Sequence, residues 1–389
     1  MKVLHVIPAY YPATYWGGPM FSVYSLNNAL ATLPGMELKV LTTDSAGPQA
    51  SDRLNVRHLV SLYSNYEVVF GRRIAGDSVS LELLRRMVPL VRQADVVHLT
   101  ATYSFSTIPV LTICRLLRKP LVWSPRGAIL DSYEWEGTRK RRIKRVWEGI
   151  CDLIVRPGCV TLHVTSENEM NASLVRIPRA TAVIVPNGVD ALPSLPKRVW
   201  MPEGKLRLVF MGRLSPKKGV ENLLKAMKLM ESDNTVELAI YGTGDNLYRE
   251  SLVELAKDLD LLGKSVHFAG HVDGSDKSDA FLNADLCIVP SYTENFCMVV
   301  AEALGHGVPV VVSQGAPWAD IEVHDCGVWV KNTPEELMQA ICTMRTRNLS
   351  DMGRNGWEWM KKSYDWDVVA DQMHGVYASL LSGVNIHEA

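Results

Sequence analysis

The sequence has no excess of either charge: 41 Lys+Arg stand against 42 Asp+Glu, for a formal net charge of -1. A nucleic-acid binder ordinarily shows a strong basic surplus, so bulk electrostatics exclude that partner. Long apolar runs are missing too. None reaches the roughly 18–20 residues that span a bilayer. The opening Met1–Ile7 meets Pro8 too soon for the apolar core of a signal peptide and reads as a first strand. The 7 cysteines are an odd number without any Cys-x-x-Cys, which excludes a disulfide framework or a zinc site. Their expected state is buried thiols in a reducing cytoplasm. Disorder is excluded by the 47% hydrophobic content at near-zero net charge.

Short β-rich apolar runs alternate with stretches of helical period. Val3–Ile7, Leu38–Thr42, Val96–Leu99, Pro120–Ser124, Val160–Thr165 and Ala182–Val185 read as strands. Pro19–Ala31, Leu81–Arg92 and Thr107–Leu117 read as helices between them. The pattern then restarts. Strands at Leu206–Met211, Val236–Tyr241, Val266–Ala269, Leu286–Val289 and Val308–Val312 alternate with helices at Val220–Met230, Leu247–Leu261, Met298–Leu304 and Pro334–Met344. Thr333 is placed to cap the last of these. Alternation of this kind predicts parallel sheets covered by helices. The expected fold is α/β, with two Rossmann-like domains facing each other across a cleft. Residues 1–193 form the first and 204–364 the second. The proline-rich Ala191–Glu203 is expected as the linker.

In such sheets ligands sit at the carboxyl ends of strands, so chemistry is expected in strand-to-helix loops. Gly17-Gly18 precedes a helix start, where free N–H groups and the positive dipole end suit an anion or a sugar hydroxyl. The same pair also fits a plain turn. Gly212-Arg213-Leu214-Ser215-Pro216-Lys217-Lys218-Gly219 puts cations in one such loop, able to clamp a diphosphate or simply to be solvated. Gly242-Thr243-Gly244 allows close backbone approach but lacks the third glycine of a dinucleotide fingerprint. Between a strand and an apolar helix lie Glu294, Asn295, Phe296 and Cys297, with Glu302 two helical turns beyond Glu294. A carboxylate accepts two hydroxyl hydrogen bonds at once, which suits a sugar diol. Two solvated helix glutamates would give the same spacing.

Taken in order, these motifs resemble those of GT-B glycosyltransferases of family 4, the retaining, metal-independent enzymes that use nucleotide sugars. The matching residues are Gly17-Gly18, Asp95-Val96-Val97-His98, Pro186-Asn187-Gly188-Val189-Asp190, Gly212-Arg213-Leu214 through Lys218-Gly219, Gly242-Thr243-Gly244 and the Glu294–Glu302 pair. Ser124-Pro125-Arg126-Gly127 and Thr165-Ser166-Glu167 resemble a subgroup from bacterial surface-polysaccharide (lipopolysaccharide-type) gene sets. The resemblance implies a hexosyltransferase with no cofactor and no metal. Its donor would be a UDP- or GDP-sugar and its acceptor a glycan or lipid-linked glycan. It implies that Arg213 and Lys218 hold the donor diphosphate, Glu302 the ribose and Glu294 the donor sugar. Gly242, Gly244, Asn295, Phe296 and Cys297 would line the donor site, and Gly17 and Gly18 would let the first domain close on it. Arg213, Lys218 and Glu294 would carry catalysis, while His98, Thr100 and Arg126 would face the acceptor. The last helices, Tyr364–Leu381, would cross back to the first domain through Trp366, Val369, Met373, Val376, Tyr377 and Leu380.

This chain departs from the family pattern at two places. Thr100 stands where many members have a second histidine after His98, and Cys297 where many have glycine. A helix-terminal Cys297 would have a lowered pKa, or else be a small wall of the sugar pocket. His98 and Arg126 each fit a structural role equally well. Asp258-Leu259-Asp260 and Asp365-Trp366-Asp367 lie in or beside helices and mark no required metal. The basic stretch Arg139–Trp147, preceded by Tyr133 and Trp135, suits either an anionic membrane surface or a solvated helix face. Peripheral attachment to the inner membrane face is the accompanying hypothesis. Two rival readings stay open: a nucleotide-sugar 2-epimerase of the same fold, and a nucleotide-sugar-binding protein without catalysis. A dehydrogenase is disfavoured by the missing fingerprint.

Overall fold

The computed structural model describes residues 1–49, 51–56, 63–130, 139–230 and 235–382. The chain divides into two compact units, Met1–Gly188 with Trp366–Ala389, and Val189–Asp365.

The first unit runs β1 (Lys2–Ala9), α1 (Gly18–Thr32), β2 (Glu37–Thr43), β3 (Tyr66–Gly71), α2 (Leu81–Gln93), β4 (Val96–Thr100), α3 (Thr107–Leu117), β5 (Leu121–Ser124), α4 (Arg139–Ile154), β6 (Val160–Val164), α5 (Glu167–Arg176) and β7 (Thr181–Ile184). Its 7 strands form one parallel sheet in the order β3-β2-β1-β4-β5-β6-β7. β4, β5 and β6 are buried along their whole length, which is why they read as continuous apolar runs rather than alternating ones.

The second unit runs β8 (Leu206–Met211), α6 (Val220–Leu229), β9 (Val236–Tyr241), α7 (Asn246–Asp258), β10 (Val266–Gly270), α8 (Gly274–Leu282), β11 (Leu286–Val289), α9 (Met298–Gly305), β12 (Val310–Ser313), β13 (Gly327–Val330), α10 (Pro334–Arg345) and α11 (Leu349–Ser363). Its 6-stranded sheet is also parallel, in the order β10-β9-β8-β11-β12-β13. The final helix, α12 (Trp366–Ser382), returns to the first unit. There Val369, Ala370, Met373, Val376 and Tyr377 are buried in one cluster with Val3 and Ile7 of β1 and Val23, Leu26 and Leu30 of α1. The expected return of the last helix is therefore present.

Local chemistry accounts for the helix starts. Thr333 caps α10 by accepting from the Glu336 N–H at 3.3 Å, with Pro334 in the first turn. Ser80 caps α2 in the same way, accepting from the Leu83 N–H at 3.2 Å. Among the described residues no helix is long and apolar enough to cross a membrane.

One expectation about the chain's organisation needs correction. The first unit ends at Gly188 rather than 193, and the proline-rich stretch 191–203 belongs to the second unit instead of connecting the two. The Met201 N–H donates to Asp285 Oδ1 at 3.1 Å. Arg198 donates to the Ala284 carbonyl and lies 3.8 Å from the Trp200 ring centre. Proline breaks helical and strand periodicity, but it does not prevent an extended segment from packing through its other side chains.

Candidate active site

Strand order reverses between β1 and β4 in the first sheet and between β8 and β11 in the second. Loops leaving these strands diverge at such a point and leave a crevice at the carboxyl edge of the sheet. In the second unit they are the loop Gly212–Gly219 after β8 and the loop Pro290–Cys297 after β11. A hydrogen bond from the Tyr292 N–H to the Lys217 carbonyl, 2.8 Å, ties the two together.

The charged residues expected here converge. Lys218 Nζ donates to Glu294 Oε1 at 2.5 Å, and the two side chains are only 15% and 9% exposed. The Ser291 hydroxyl donates to the same carboxylate oxygen at 2.7 Å. Burial pulls the Lys218 ammonium down, but Glu294, with a smaller contribution from Cys297, overrides it and holds the pKa above its ordinary value. An ammonium has three donors, so the Glu294 contact leaves Lys218 with bonds to give. Arg213 stands exposed in the same loop.

Glu302 lies two turns into α9. Its Oε1 accepts from Lys277 Nζ at 2.6 Å. Its Oε2 is buried with no hydrogen-bond partner among the described residues. A buried carboxylate oxygen without a donor costs about 1–3 kcal/mol, and a ligand hydroxyl would remove that cost. Lys277, on α8, is the residue that sequence reasoning missed, because nothing in Gly274-Ser275-Asp276-Lys277 marks it. Asp190 shares this corner. Burial first, then Asp365 and Glu302, holds its carboxyl above the ordinary range.

Cys297 joins the two halves of the cluster. Its pKa is set by burial first, then by Glu294, with Lys218 opposing and Glu302 adding a smaller push, and it is raised far above the ordinary thiol range. The lowered value expected of a helix-terminal thiol is therefore wrong here. Burial and two carboxylates outweigh the helix end. The residue sits at φ 66°, ψ 70°, a left-handed conformation that favours glycine and costs a side-chain-bearing residue about 1–2 kcal/mol. The Phe296 ring is 6% exposed and packs edge-on against Trp318 at 5.2 Å, which leaves its backbone to serve the loop. Asn295 lies half-buried beside it.

Gly242 and Gly244 are required by the packing of two neighbouring loops. A Cβ on Gly242 would fall 1.8 Å from the Gly212 carbonyl oxygen, and one on Gly244 would fall 2.0 Å from that of Leu214. The close approach they allow is to the neighbouring loop, which the Leu214 N–H secures through the Thr243 carbonyl at 2.9 Å. They position Arg213 and Lys218 indirectly.

The first unit treats its expected residues differently. Gly17 has φ 69° and leads into α1, and neither Gly17 nor Gly18 has an atom within 4 Å of where a Cβ would stand. That space is open. His98 and Thr100, by contrast, are 0% and 2% exposed, so neither can touch an acceptor. His98 Nδ1 meets the Tyr377 hydroxyl at 2.7 Å and its Nε2 meets Ser124 Oγ at 2.6 Å. Ser124 in turn meets His163 Nδ1 at 2.8 Å, and His163 Nε2 meets the Val185 carbonyl at 3.0 Å.

Burial holds both histidines well below their ordinary pKa, hence neutral. A carbonyl only accepts, so His163 carries its proton on Nε2. The direction of every other bond follows. Ser124 donates to His163, His98 donates to Ser124 through Nε2–H, and Tyr377 donates to His98. Thr100 donates to His5 Nε2 at 2.7 Å, and His5 stacks on His98 with ring centres 4.2 Å apart. His98 is thus the anchor of α12 on the sheet.

Arg126, at φ 55°, donates to Asn187 Oδ1, while its Nε is buried with no hydrogen-bond partner among the described residues. Burial lowers its pKa to about 10 against the pull of Glu169. Glu169 itself accepts from the Thr165 N–H at 2.8 Å and from the Gly127 N–H. The Ser124–Gly127 and Thr165–Glu167 segments are in this way one structural joint. Tyr133 and Trp135 lie outside the described residues. Trp147 faces inward, its Nε1–H donating to the Thr102 carbonyl at 2.9 Å. No three His, Cys, Asp or Glu side chains among the described residues gather as a metal site requires.

Two parallel sheets, each with its switch point and a returning last helix, define the GT-B class of fold. A solved structure with that architecture, HepE of Anabaena in complex with UDP, superposes with a TM-score of 0.73 at 17% identity, covering 97% of this chain and 100% of that one. Residues 16–191 match Glycosyltransferase Family 4 and residues 195–354 match Glycosyl transferases group 1; the chain belongs to the family 4 glycosyltransferases. An uncharacterized glycosyltransferase of Methanocaldococcus jannaschii is 32% identical over 241 residues, 57% of this chain and 60% of that protein. A phosphatidyl-myo-inositol mannosyltransferase of Mycobacterium leprae is 31% identical over 210 residues, 51% of this chain and 54% of that protein. The matched region thus spans less than two thirds of these relatives.

Proposed function

We propose that this protein transfers a hexosyl unit from a UDP- or GDP-sugar to a glycan or lipid-linked glycan in surface-polysaccharide assembly, with retention at the anomeric carbon. The observation that carries the reading is the convergence of Lys218, Glu294 and Glu302 on Cys297 at the second switch point. HepE, of the same fold, is named as a complex with UDP, and the Mycobacterium leprae relative is named for mannosyl transfer to phosphatidyl-inositol. The first name supports a nucleotide donor and the second a lipid-linked acceptor.

The chemistry follows from charge. Departure of the nucleotide leaves negative charge on the diphosphate and positive charge on the sugar ring. Lys218 and Arg213 lie where the first can be neutralised, and groups of this kind contribute about 3–4 kcal/mol each. Glu302 Oε2, buried without a donor among the described residues, takes the ribose hydroxyls. Glu294 orients the sugar hydroxyls and keeps Lys218 in place. Both Lys218 and Ser291 engage its Oε1, so it is a poor nucleophile. The acceptor hydroxyl therefore attacks from the leaving-group side and gives its proton to a diphosphate oxygen. No metal enters this reading.

The test is nucleotide release from a panel of UDP- and GDP-sugars, with and without lipid-linked or free glycan acceptors. Release that rises with acceptor supports transfer. Isomerised donor without release would replace it with epimerisation.

A further inference from the structure

The loop 314–318 follows β12 and carries none of the residues that the transfer reading uses. It nevertheless braces the loop Pro290–Cys297, together with the last residue of β12, at three points. The Ser313 hydroxyl donates to the Ser291 carbonyl. The Glu294 N–H donates to the Gly315 carbonyl at 2.8 Å. The Trp318 Nε1–H donates to the Phe296 carbonyl.

The brace is itself held. The Gln314 N–H donates to the Val330 carbonyl at 2.8 Å and Trp329 Nε1–H to the Ala316 carbonyl at 2.9 Å, which ties the loop to β13. Trp318 is 2% exposed, and its ring centre lies 5.2 Å from that of Phe296, 5.4 Å from Tyr364 and 5.8 Å from Trp359. These ring contacts fix the place of the indole and with it the direction of its N–H.

That direction matters because of peptide geometry. In a trans peptide the carbonyl and the following N–H point to opposite sides. The Phe296 carbonyl is aimed inward at Trp318, so the Cys297 N–H is aimed the other way. The Cys297 N–H has no acceptor among the described residues. Cys297 also holds a left-handed backbone, φ 66°, and such a conformation persists only where its surroundings over-determine it. The indole bond is part of that determination. Without it a buried carbonyl loses its donor and the peptide is free to turn. A free N–H at the start of α9, in the loop whose Glu294 holds Lys218, suits an anionic oxygen.

We propose that Trp318 is a positioning residue for donor binding: its indole N–H turns the Phe296–Cys297 peptide so that the Cys297 N–H meets the diphosphate of a nucleotide sugar. The inference rests on the reading of this loop as the donor site. It adds to that site a residue that touches neither donor nor acceptor.

The test is calorimetric titration of UDP and GDP into the intact protein and into Trp318→Phe, which keeps an aromatic ring and loses the N–H. Trp357→Phe is the control, because Trp357 Nε1–H donates to the Leu192 carbonyl at 2.7 Å, elsewhere in the second unit. Affinity for whichever nucleotide binds should fall by about tenfold in Trp318→Phe, the worth of one hydrogen bond to a charged group, and stay within about twofold in Trp357→Phe. Amide hydrogen exchange on the unsubstituted protein gives a second readout that does not depend on the folding of a variant. Saturating nucleotide should slow exchange of the Cys297 amide by about tenfold or more. Full affinity in folded Trp318→Phe, an equal loss in Trp357→Phe, or unchanged exchange at Cys297 would overturn the proposal while leaving the donor site in place. Absence of nucleotide binding by the unsubstituted protein would overturn the donor reading itself, and this inference with it.

Discussion

The two units share a parallel sheet and a switch point, yet they spend their polar residues in opposite ways. At the carboxyl end of β4, His98 and Thr100 are turned inward, fully bonded and closed to solvent. At the ends of β8 and β11, Lys218, Glu294 and Glu302 keep an exposed fraction, and one Glu302 oxygen has no donor among the described residues. Position at a strand end is therefore not enough to make a residue functional. What separates these two places is that the charged groups of the second unit keep some exposure while His98 and Thr100 keep almost none.

Four substitutions and one condition would break or sharpen that contrast. The largest effect is expected in the second unit. Lys218→Ala or Glu302→Ala should each lower transfer by about 10³-fold or more with little change in melting temperature. Near-normal turnover in either variant removes that residue from the site.

Tyr377→Phe comes next. It leaves His98 Nδ1 without its donor and should cost about 1–3 kcal/mol of stability, while turnover per folded molecule stays near normal. Lost turnover at unchanged stability would return His98 to the reaction.

The third test is acid. His5 is lowered to about 3 and His98 and His163 lie well below 6.5, so the unfolded chain binds more protons than the folded one below about pH 6.5. Stability from these groups is complete above that pH and is lost as pH falls, by up to about 1.4 kcal/mol per pH unit for each histidine. Denaturant unfolding between pH 7 and 5 reads it, and a flat profile would mean the histidines are not held neutral.

The smallest effect belongs to Cys297→Gly. Relief of the left-handed backbone opposes loss of a buried thiol, so unfolding free energy should change by no more than about 1 kcal/mol. A large loss would make the Cys297 side chain a structural requirement of the loop.

Much of this architecture is legible in the sequence because buried parallel strands are short apolar runs and caps carry their own signatures. β3 and β13 were not read; both are edge strands with half-exposed faces, a pattern that β7 and β10 share and that gives only a weak signal. α11 contains Gly353 and Gly356, which are poor helix formers. A Cβ at Gly353 would meet the Gly307 carbonyl at 2.1 Å, so glycine is what lets α11 lie against the end of α9. At the site, Lys218, Glu294 and Glu302 were readable because loop position and charge coincide. Lys277 was not, since its role depends on where α8 packs. His98 stayed open between two roles because a motif records that a histidine is needed and not which way it faces.

The central claim, that the charged loops of the second unit bind a nucleotide diphosphate, is tested most directly by calorimetric titration of UDP and GDP into the intact protein and into its Lys218→Ala and Glu302→Ala variants. The account predicts saturable binding of at least one nucleotide that falls by about tenfold or more in each variant. Undiminished affinity in both would contradict it.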